Sequence, residues 1–296
     1  MSVAVVVVSW NTRELLARCL DSLHGLAEVI VVDNGSTDGS ADVVPEWARL
    51  VRLEENLGYG PAVNRGVAET DAAFVAAANS DLVFAPGAID ALLAAAARHP
   101  NAGAFAPRLV LPDGRTQHSV HPFPTLPRLA AFNLGLTSIG LGDRLTIEGH
   151  TDLDRERAVD WAHGAFLMVC REAWDAVGGF DEEQWMYAED LDLGWRLRQA
   201  GYATVYVPDA RVEHAVAAST SQAFGDERVA RAQARTYAWM LRRRGPARTR
   251  AAAAINIAGA GARALVSRGP ARAAARRWMT IHRSGLAPTA ELRRLR

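Results

Sequence analysis

Lysine is absent from this 296-residue chain, so every fixed positive charge is an arginine guanidinium. Acids are scarce at one end only. Residues 1–227 carry 32 acids against 16 arginines, whereas residues 228–296 carry one acid, Glu291, against 17 arginines. The formal net charge of zero thus conceals −16 followed by +16, a split that points to two regions with different work. An acidic part suits a divalent cation, and a basic part suits anionic lipid, a phosphorylated acceptor or nucleic acid. Cysteine is nearly missing: Cys19 and Cys170 cannot frame a disulfide scaffold or a cysteine-rich metal centre, which favours a reduced, intracellular setting. Long apolar runs are missing too. Met1 to Trp10 has no basic leader and no extended apolar core, so it does not read as a signal peptide. The longest uncharged C-terminal run, Ala251 to Ala262, is too short and too rich in Ala and Gly to span a bilayer. The expectation is a cytoplasmic protein, either freely soluble or peripheral on the inner face of the plasma membrane.

What is present is an alternation of strand and helix signals. Short apolar runs at Val3 to Ser9, Val29 to Val32, Leu50 to Leu53 and Ala73 to Ala78 read as strands. Helical patterns at Thr12 to Leu23, Pro61 to Thr70 and Pro86 to His99 separate them. Fully apolar strands with helical crossovers predict an α/β fold with a parallel sheet covered on both faces. Ligands gather at the carboxyl ends of such strands, where Asn11, Asp33 and Asp81 fall. Residues 111–150, with Pro112, Pro122, Pro124 and Pro127, read as loop. Beyond them come an extended segment from Val159 to Val169, a short helix at Arg171 to Val177, a helix from Glu189 to Ala200 and a strand from Thr204 to Val207. From about Ser219 the sequence turns to Ala and Arg with helical propensity. The predicted organisation is a domain over 1–220 and a basic helical region over 221–296.

Four places carry chemistry. Asp33, in Asp33-Asn34-Gly35-Ser36, can accept hydrogen bonds from a base or a ribose, though the same residues make a good turn. Asp81, in Asn79-Ser80-Asp81, can ligate Mg²⁺ or Mn²⁺, or cap the following helix. Glu189, Asp190 and Asp192 crowd a helix start; the helix dipole favours acids there, and one of them can serve as a general base. His214 is a lone imidazole, a metal ligand or simply a structural or solvated side chain.

Read together, the motifs resemble the family 2 glycosyltransferases, in particular the rhamnosyltransferase-like branch of bacterial cell-wall and surface polysaccharide synthesis. The resemblance covers about residues 3–220. It rests on Val8-Ser9-Trp10-Asn11, on Val32-Asp33 through Ser40, and on Asn56-Leu57-Gly58-Tyr59-Gly60-Pro61 through Gly66. It continues through Trp161-Ala162-His163-Gly164-Ala165 and Gly178-Gly179-Phe180-Asp181-Glu182 to Met186-Tyr187-Ala188-Glu189-Asp190-Leu191-Asp192. It implies a GT-A fold, a Rossmann-like, mostly parallel sheet with flanking helices, here followed by the basic helical region. The implied activity is an inverting, metal-dependent transfer from a nucleotide-diphosphate sugar to an acceptor hydroxyl. The branch favours deoxythymidine-diphosphate rhamnose as donor, with uridine-diphosphate sugars next, and a polysaccharide or lipid-linked sugar as acceptor. By the same resemblance Asp190, beside Glu189, is the catalytic base. Ser9, Asn11, Asp33, Asn34, Asn56, Asn79 and Asp81 lie on the donor. Asp81 and His214 hold Mg²⁺ or Mn²⁺, with Asn79 replacing the first aspartate of the family's Asp-X-Asp element. Trp161, Gly164 and Ala165 wall the sugar and acceptor. After His214 the sequence runs Ala215-Val216-Ala217-Ala218-Ser219, where the family often has a Gly-rich stretch.

The arginine-rich end is expected to bind an anionic membrane, bringing the enzyme to a lipid-linked acceptor. The alternative is a helical appendage packed on the acidic domain or on a second subunit. Nucleic-acid binding has no accompanying motif and is not expected. A sugar nucleotidyltransferase or a dehydrogenase needs a Gly-rich loop after the first strand, and Trp10-Asn11-Thr12-Arg13-Glu14 is not one. A non-catalytic sugar-nucleotide binder on a decayed transferase fold is the remaining rival.

Overall fold

The computed structural model describes residues 1–136, 152–184, 186–215 and 227–287. Trp185, Ser219 and the 220/221 boundary expected from the sequence lie outside these. The described residues fall into two compact units, Met1–His121 with Asp152–Ala223, and Pro122–Thr151 with Phe224–Arg296.

The first unit is built on a nine-stranded sheet. Its parallel half is β1 (Val3–Ser9), β2 (Glu28–Asn34), β3 (Arg49–Leu53) and β4 (Phe74–Asn79), in the order β3-β2-β1-β4. Helices α1 (Arg13–Leu23), α2 (Tyr59–Val67) and α3 (Ala88–Arg98) belong to the same stretch, and β5 (Leu82–Phe84) precedes α3. Every residue of β1 is buried, as a central strand covered on both faces requires. Side chains alternate between the two faces. Val3, Val5 and Val7 join Leu16, Leu20 and Leu23 of α1, whereas Ala4, Val6 and Val8 join Ala62, Val63 and Val67 of α2. Contact with α2 is so close that a Cβ on Gly66 would sit 2.3 Å from Val6 Cγ1.

The other half is mixed. It adds β6 (Ala102–Val110), β8 (Arg157–Val159), β10 (Phe166–Cys170) and β11 (Ala203–His214), with α5 (Arg171–Val177) and α6 (Glu189–Gln199). The order continues β4-β10-β6-β11-β5, with β8 also on β11. β10 runs antiparallel to both β4 and β6, and β11 runs parallel to β6. A two-stranded ribbon pairs β7 (Val120–His121) with β9 (Trp161–Ala162). β6 was not expected, because Gly103 and Pro107 interrupt its pattern. Pro107 sits where the register with β11 shifts between Val207 and Arg211, an irregularity that tolerates a residue without an N–H.

The helical unit contains α4 (Leu126–Asn133), α7 (Arg228–Arg244), α8 (Pro246–Val266) and α9 (Gly269–His282). The stretch read as loop thus contains a helix, started by Thr125, which accepts from the Arg128 N–H, with Pro127 in its first turn. Asn133 Nδ2 donates to Asn256 Oδ1 at 2.8 Å, Asn256 Nδ2 donates to the Tyr237 hydroxyl at 3.0 Å, and that hydroxyl lies 2.9 Å from His282 Nδ1. Among the described residues no helix is long and apolar enough to cross a membrane.

Candidate active site

The loops beyond β1, β2 and β4 are sewn to one another. Ser9 Oγ lies 3.0 Å from Thr12 Oγ1, which lies 2.7 Å from Ser80 Oγ. Asn11, in the left-handed region at φ 53°, accepts from the Thr37 N–H at 2.8 Å and donates its own N–H to Ser36 Oγ at 3.0 Å. Asp33, nearly buried, accepts from the Ser36 N–H at 3.3 Å. Asn34 is turned inward. Its Nδ2 donates to Asn56 Oδ1 and Gly58 O, both at 3.1 Å, and its Oδ1 accepts from the Leu57 N–H at 2.9 Å. Asn56 Oδ1 also accepts from the Gly58 N–H at 2.9 Å. Ser9 and Asn34 were expected on the donor, yet they are 0% and 2% exposed and use their polar atoms on protein partners. With Asn56 they shape the loops that Asn11 and Asp33 border.

Asp81 follows β4 by two residues, and the β5–β11 ladder sets His214 opposite Leu82. The Ala215 N–H donates to Asp81 O at 3.0 Å. Backbone pairing alone therefore delivers the imidazole to the carboxylate, and His214 Nε2 lies 3.3 Å from Asp81 Oδ1, both side chains buried. His214 Nδ1 lies 2.8 Å from Gln117 Oε1. An amide oxygen only accepts, so Nδ1 is the donor in that contact, which leaves Nε2 to face Asp81. Asn79 Nδ2 approaches that nitrogen at 3.4 Å, longer than an ordinary hydrogen bond. Asp81 Oδ1 itself receives no hydrogen bond.

Two lone-pair atoms facing each other at 3.3 Å repel unless a cation or proton lies between them. Adjacent ligands of an octahedral ion with bonds of ~2.1 Å stand about 3 Å apart, so the pair fits Mg²⁺ or Mn²⁺. Among the described residues no group of three or more His, Cys, Asp or Glu side chains could hold a metal, so an ion held by this pair would depend on ligand oxygens for its other positions. Cys19 is not a candidate: burial, followed by the charge of Asp81, pushes its thiol up to about 12.

The third group is held by the backbone of Gly164 and Ala165. The Gly164 N–H donates to Asp190 Oδ2 at 3.0 Å, the Tyr59 hydroxyl donates to Gly164 O, and Ala165 O accepts from the Asn79 N–H at 2.8 Å. Asp190 Oδ1 accepts from the Leu191 N–H at 2.8 Å. A Cβ on Gly164 would stand 3.3 Å from Tyr59 Cε1 and 3.5 Å from Asp190 Cβ, so only glycine gives this approach without displacement. Burial, then the charges of Glu189, Asp190 and Asp81, hold the Tyr59 hydroxyl well above its ordinary value. It therefore remains a donor, under the electrostatic influence of all three carboxylates.

Tyr187 and Ala188 both lie in the left-handed region, at φ 65° and 66°. That conformation costs roughly 1–2 kcal/mol per non-glycine residue, and here it directly precedes Glu189 and Asp190. Glu189 is buried. Asp192 is fully buried against Arg196 at 2.6 Å, a structural ion pair. Trp161 stacks on His121 with ring centroids 4.7 Å apart, and His121 Nε2 meets His163 Nε2 at 3.0 Å. Burial lowers the His163 pKa, against the pull of Asp190.

The sequence reading missed Tyr59, Gln117, His121 and His163 as site residues. Tyr59 and His163 stood inside quoted motifs without a role, whereas Gln117 and His121 lie in the stretch read as featureless.

The model for glycosyl transferase family 2 matches residues 4–142, and that for glycosyl transferase family group 2 matches residues 143–281. An N-acetylglucosaminyl-diphospho-decaprenol L-rhamnosyltransferase of Mycobacterium tuberculosis is 40% identical over 243 residues, covering 74% of this chain and 77% of that protein. A pre-mycofactocin glycosyltransferase of the same organism is 32% identical over 217 residues, covering 72% of this chain and 42% of the other. The mannosyltransferase PcManGT from Pyrobaculum calidifontis, solved in complex with GDP-Man and Mn²⁺, aligns with a TM-score of 0.58 at 19% identity, covering 98% of this chain and 86% of that chain. S. aureus TarS 1–349 in complex with UDP aligns at 0.54 and 16% identity, covering 97% of this chain and 81% of that one. At those identities the structural likeness shows the fold, GT-A. The sequence relatives and the matching models show more: this chain belongs to the family 2 glycosyltransferases.

Proposed function

We propose that the chain is a metal-dependent, inverting rhamnosyltransferase, moving rhamnose from deoxythymidine-diphosphate rhamnose to a hydroxyl of a lipid-linked sugar in cell-wall synthesis. The observation that carries this reading is the Gly164–Ala165 backbone. It ties Asp190, Tyr59 and Asn79 together, which supports a base on the same side of the site as the Asp81–His214 pair. The relative acting on N-acetylglucosaminyl-diphospho-decaprenol supports both rhamnose and a polyprenyl-diphosphate acceptor. Uridine-diphosphate sugars are the next donors to test.

Asn11 and Asp33 take the nucleoside on loops that Asn34 and Asn56 keep in shape. Asp81 and His214, with Asn79 beside them, would hold Mg²⁺ or Mn²⁺, and such an ion would supply Lewis-acid stabilisation of the negative charge that develops on the leaving group. Asp190 removes the proton from the acceptor hydroxyl as that oxygen attacks the anomeric carbon on the face opposite the leaving diphosphate, which gives inversion. The two backbone N–H groups on Asp190 keep it aimed through the step. Glu189, buried and adjacent in sequence, is the second acid of this pair. Trp161, Gly164 and Ala165 wall the sugar and acceptor, and water is thereby kept from competing with the acceptor.

The test is thermal stabilisation across nucleotide sugars with and without Mn²⁺, followed by transfer to an N-acetylglucosaminyl-diphospho-lipid. A donor at ~100 times its Kd adds ~2.7 kcal/mol of stability. A metal-dependent shift with deoxythymidine-diphosphate rhamnose and turnover with it are expected. No shift with any donor on folded protein would overturn the reading in favour of a decayed fold.

A further inference from the structure

We infer that the corner between α8 and α9 is a docking point for an anionic bilayer surface, an inference that rests on the lipid-linked acceptor proposed above. Helix α8 ends in Leu265 and Val266, which are 80% and 84% exposed, more than any other large hydrophobic residue described. An adjacent apolar pair presented so fully to water at a helix end is unfavourable unless something apolar receives it.

Three of the last four carbonyls of α8 are already met within the chain. Arg272 donates through Nε to Ala264 O at 2.9 Å and through a terminal nitrogen to Leu265 O at 3.4 Å, and the Ser267 N–H donates to Arg263 O at 3.0 Å. A helix end capped by side chain rather than by water can enter a layer that offers no hydrogen bonds.

From this corner Arg272 and Arg276 stand four residues apart on α9, the spacing that stacks side chains along one helix face, Arg268 sits at its N-cap, and all three are exposed. Trp278, also exposed and stacked on His282 at 5.4 Å, is of the type that favours the headgroup layer. No acid occurs between residues 228 and 290, so nothing on this part of the chain opposes an anionic partner. Charge alone would also suit nucleic acid; Leu265 and Val266 gain nothing from phosphates and decide for lipid. The corner seats in the headgroup layer, its apolar pair reaching the acyl boundary and its arginines meeting lipid phosphates.

The experiment uses the full chain with two double variants, Leu265→Asp with Val266→Asp, and Arg268→Glu with Arg276→Glu; Arg272 is retained because it caps α8. Binding is read by co-sedimentation with vesicles of phosphatidylglycerol and phosphatidylcholine, and with phosphatidylcholine alone. Transfer is read on a water-soluble, short-chain acceptor. The wild-type chain is expected to bind only the anionic vesicles. Each variant is expected to bind them more than about tenfold more weakly, since the first loses the apolar anchor and gains two negative charges and the second exchanges two positive charges for two negative ones, with turnover on the soluble acceptor unchanged. Absence of wild-type binding, equal binding to neutral vesicles, unaltered binding by both variants, or capture by an RNA duplex in place of vesicles would each overturn the inference. Failure of wild-type transfer to the soluble acceptor would instead fault the acceptor reading, and the vesicle comparison would still judge the corner.

Discussion

Asp190 accepts two backbone hydrogen bonds, from Gly164 and from Leu191, and so has one orientation rather than a choice of rotamers. Its isosteric amide keeps the size but cannot take a proton. Asp190→Asn is therefore expected to lower turnover by ~10²–10⁴ with nucleotide-sugar affinity kept, as measured by steady-state kinetics beside a binding isotherm; unchanged turnover would remove Asp190 from the role. Gln184 shows the opposite situation. It is fully buried, and among the described residues neither end of its carboxamide meets a hydrogen-bond partner. An unmet buried polar group costs about 1–3 kcal/mol, so Gln184→Met, of similar volume, is expected to raise the unfolding midpoint in urea. A lowered midpoint would show that the carboxamide is satisfied in solution.

At the scale of elements, close packing and burial make two further predictions. Gly66 lets α2 lie on β1 and β2, and a Cβ there would meet Val6 at 2.3 Å and Val32 at 2.9 Å. Gly66→Ala should overpack this layer and cost ~1–3 kcal/mol, read as a shifted urea midpoint. In the helical unit, burial, with Arg263 adding, depresses His282 to about 4 from its ordinary 6.5. Between those values the unfolded chain takes up a proton that the folded one refuses, so acid favours unfolding. Stability from this group is complete above pH 6.5, declines as pH falls to about 4 and is flat below. Melting curves of wild type and His282→Asn across that window are expected to converge as pH drops; parallel curves would refute the assignment.

The same scale shows what the sequence could and could not say. Apolar runs at Val3 to Ser9 and Ala73 to Ala78 identify β1 and β4 because their burial on both faces demands unbroken hydrophobicity. Asp33 and Asp81 are legible as strand-end residues for the same reason. β6 escaped because its Pro107 falls at a register shift, and α4 escaped because Pro127 was taken as a loop residue instead of a helix starter. Gln117 reaches His214 only through tertiary placement, which no local pattern encodes.

For the molecule as a whole, the proposed cation pair, Asp81 and His214, joins residues more than a hundred positions apart. Asp81→Asn and His214→Ala should each abolish the effect of Mn²⁺ on donor-induced stabilisation while leaving the metal-free melting temperature within a few degrees. A Mn²⁺ effect that survives in both would place the ion elsewhere. The sheet carries a related consequence for biosynthesis. β4 is complete at Asn79, but its antiparallel neighbour β10 begins only at Phe166. At roughly 5–20 residues per second, a nascent chain displays the β4 edge for on the order of ten seconds before its partner leaves the ribosome. A flat, apolar, unpaired edge is a template for intermolecular pairing, so this enzyme's greatest exposure to misassembly comes during its own translation, and chaperones that shield emerging chains should raise its yield more than any change to the finished surface.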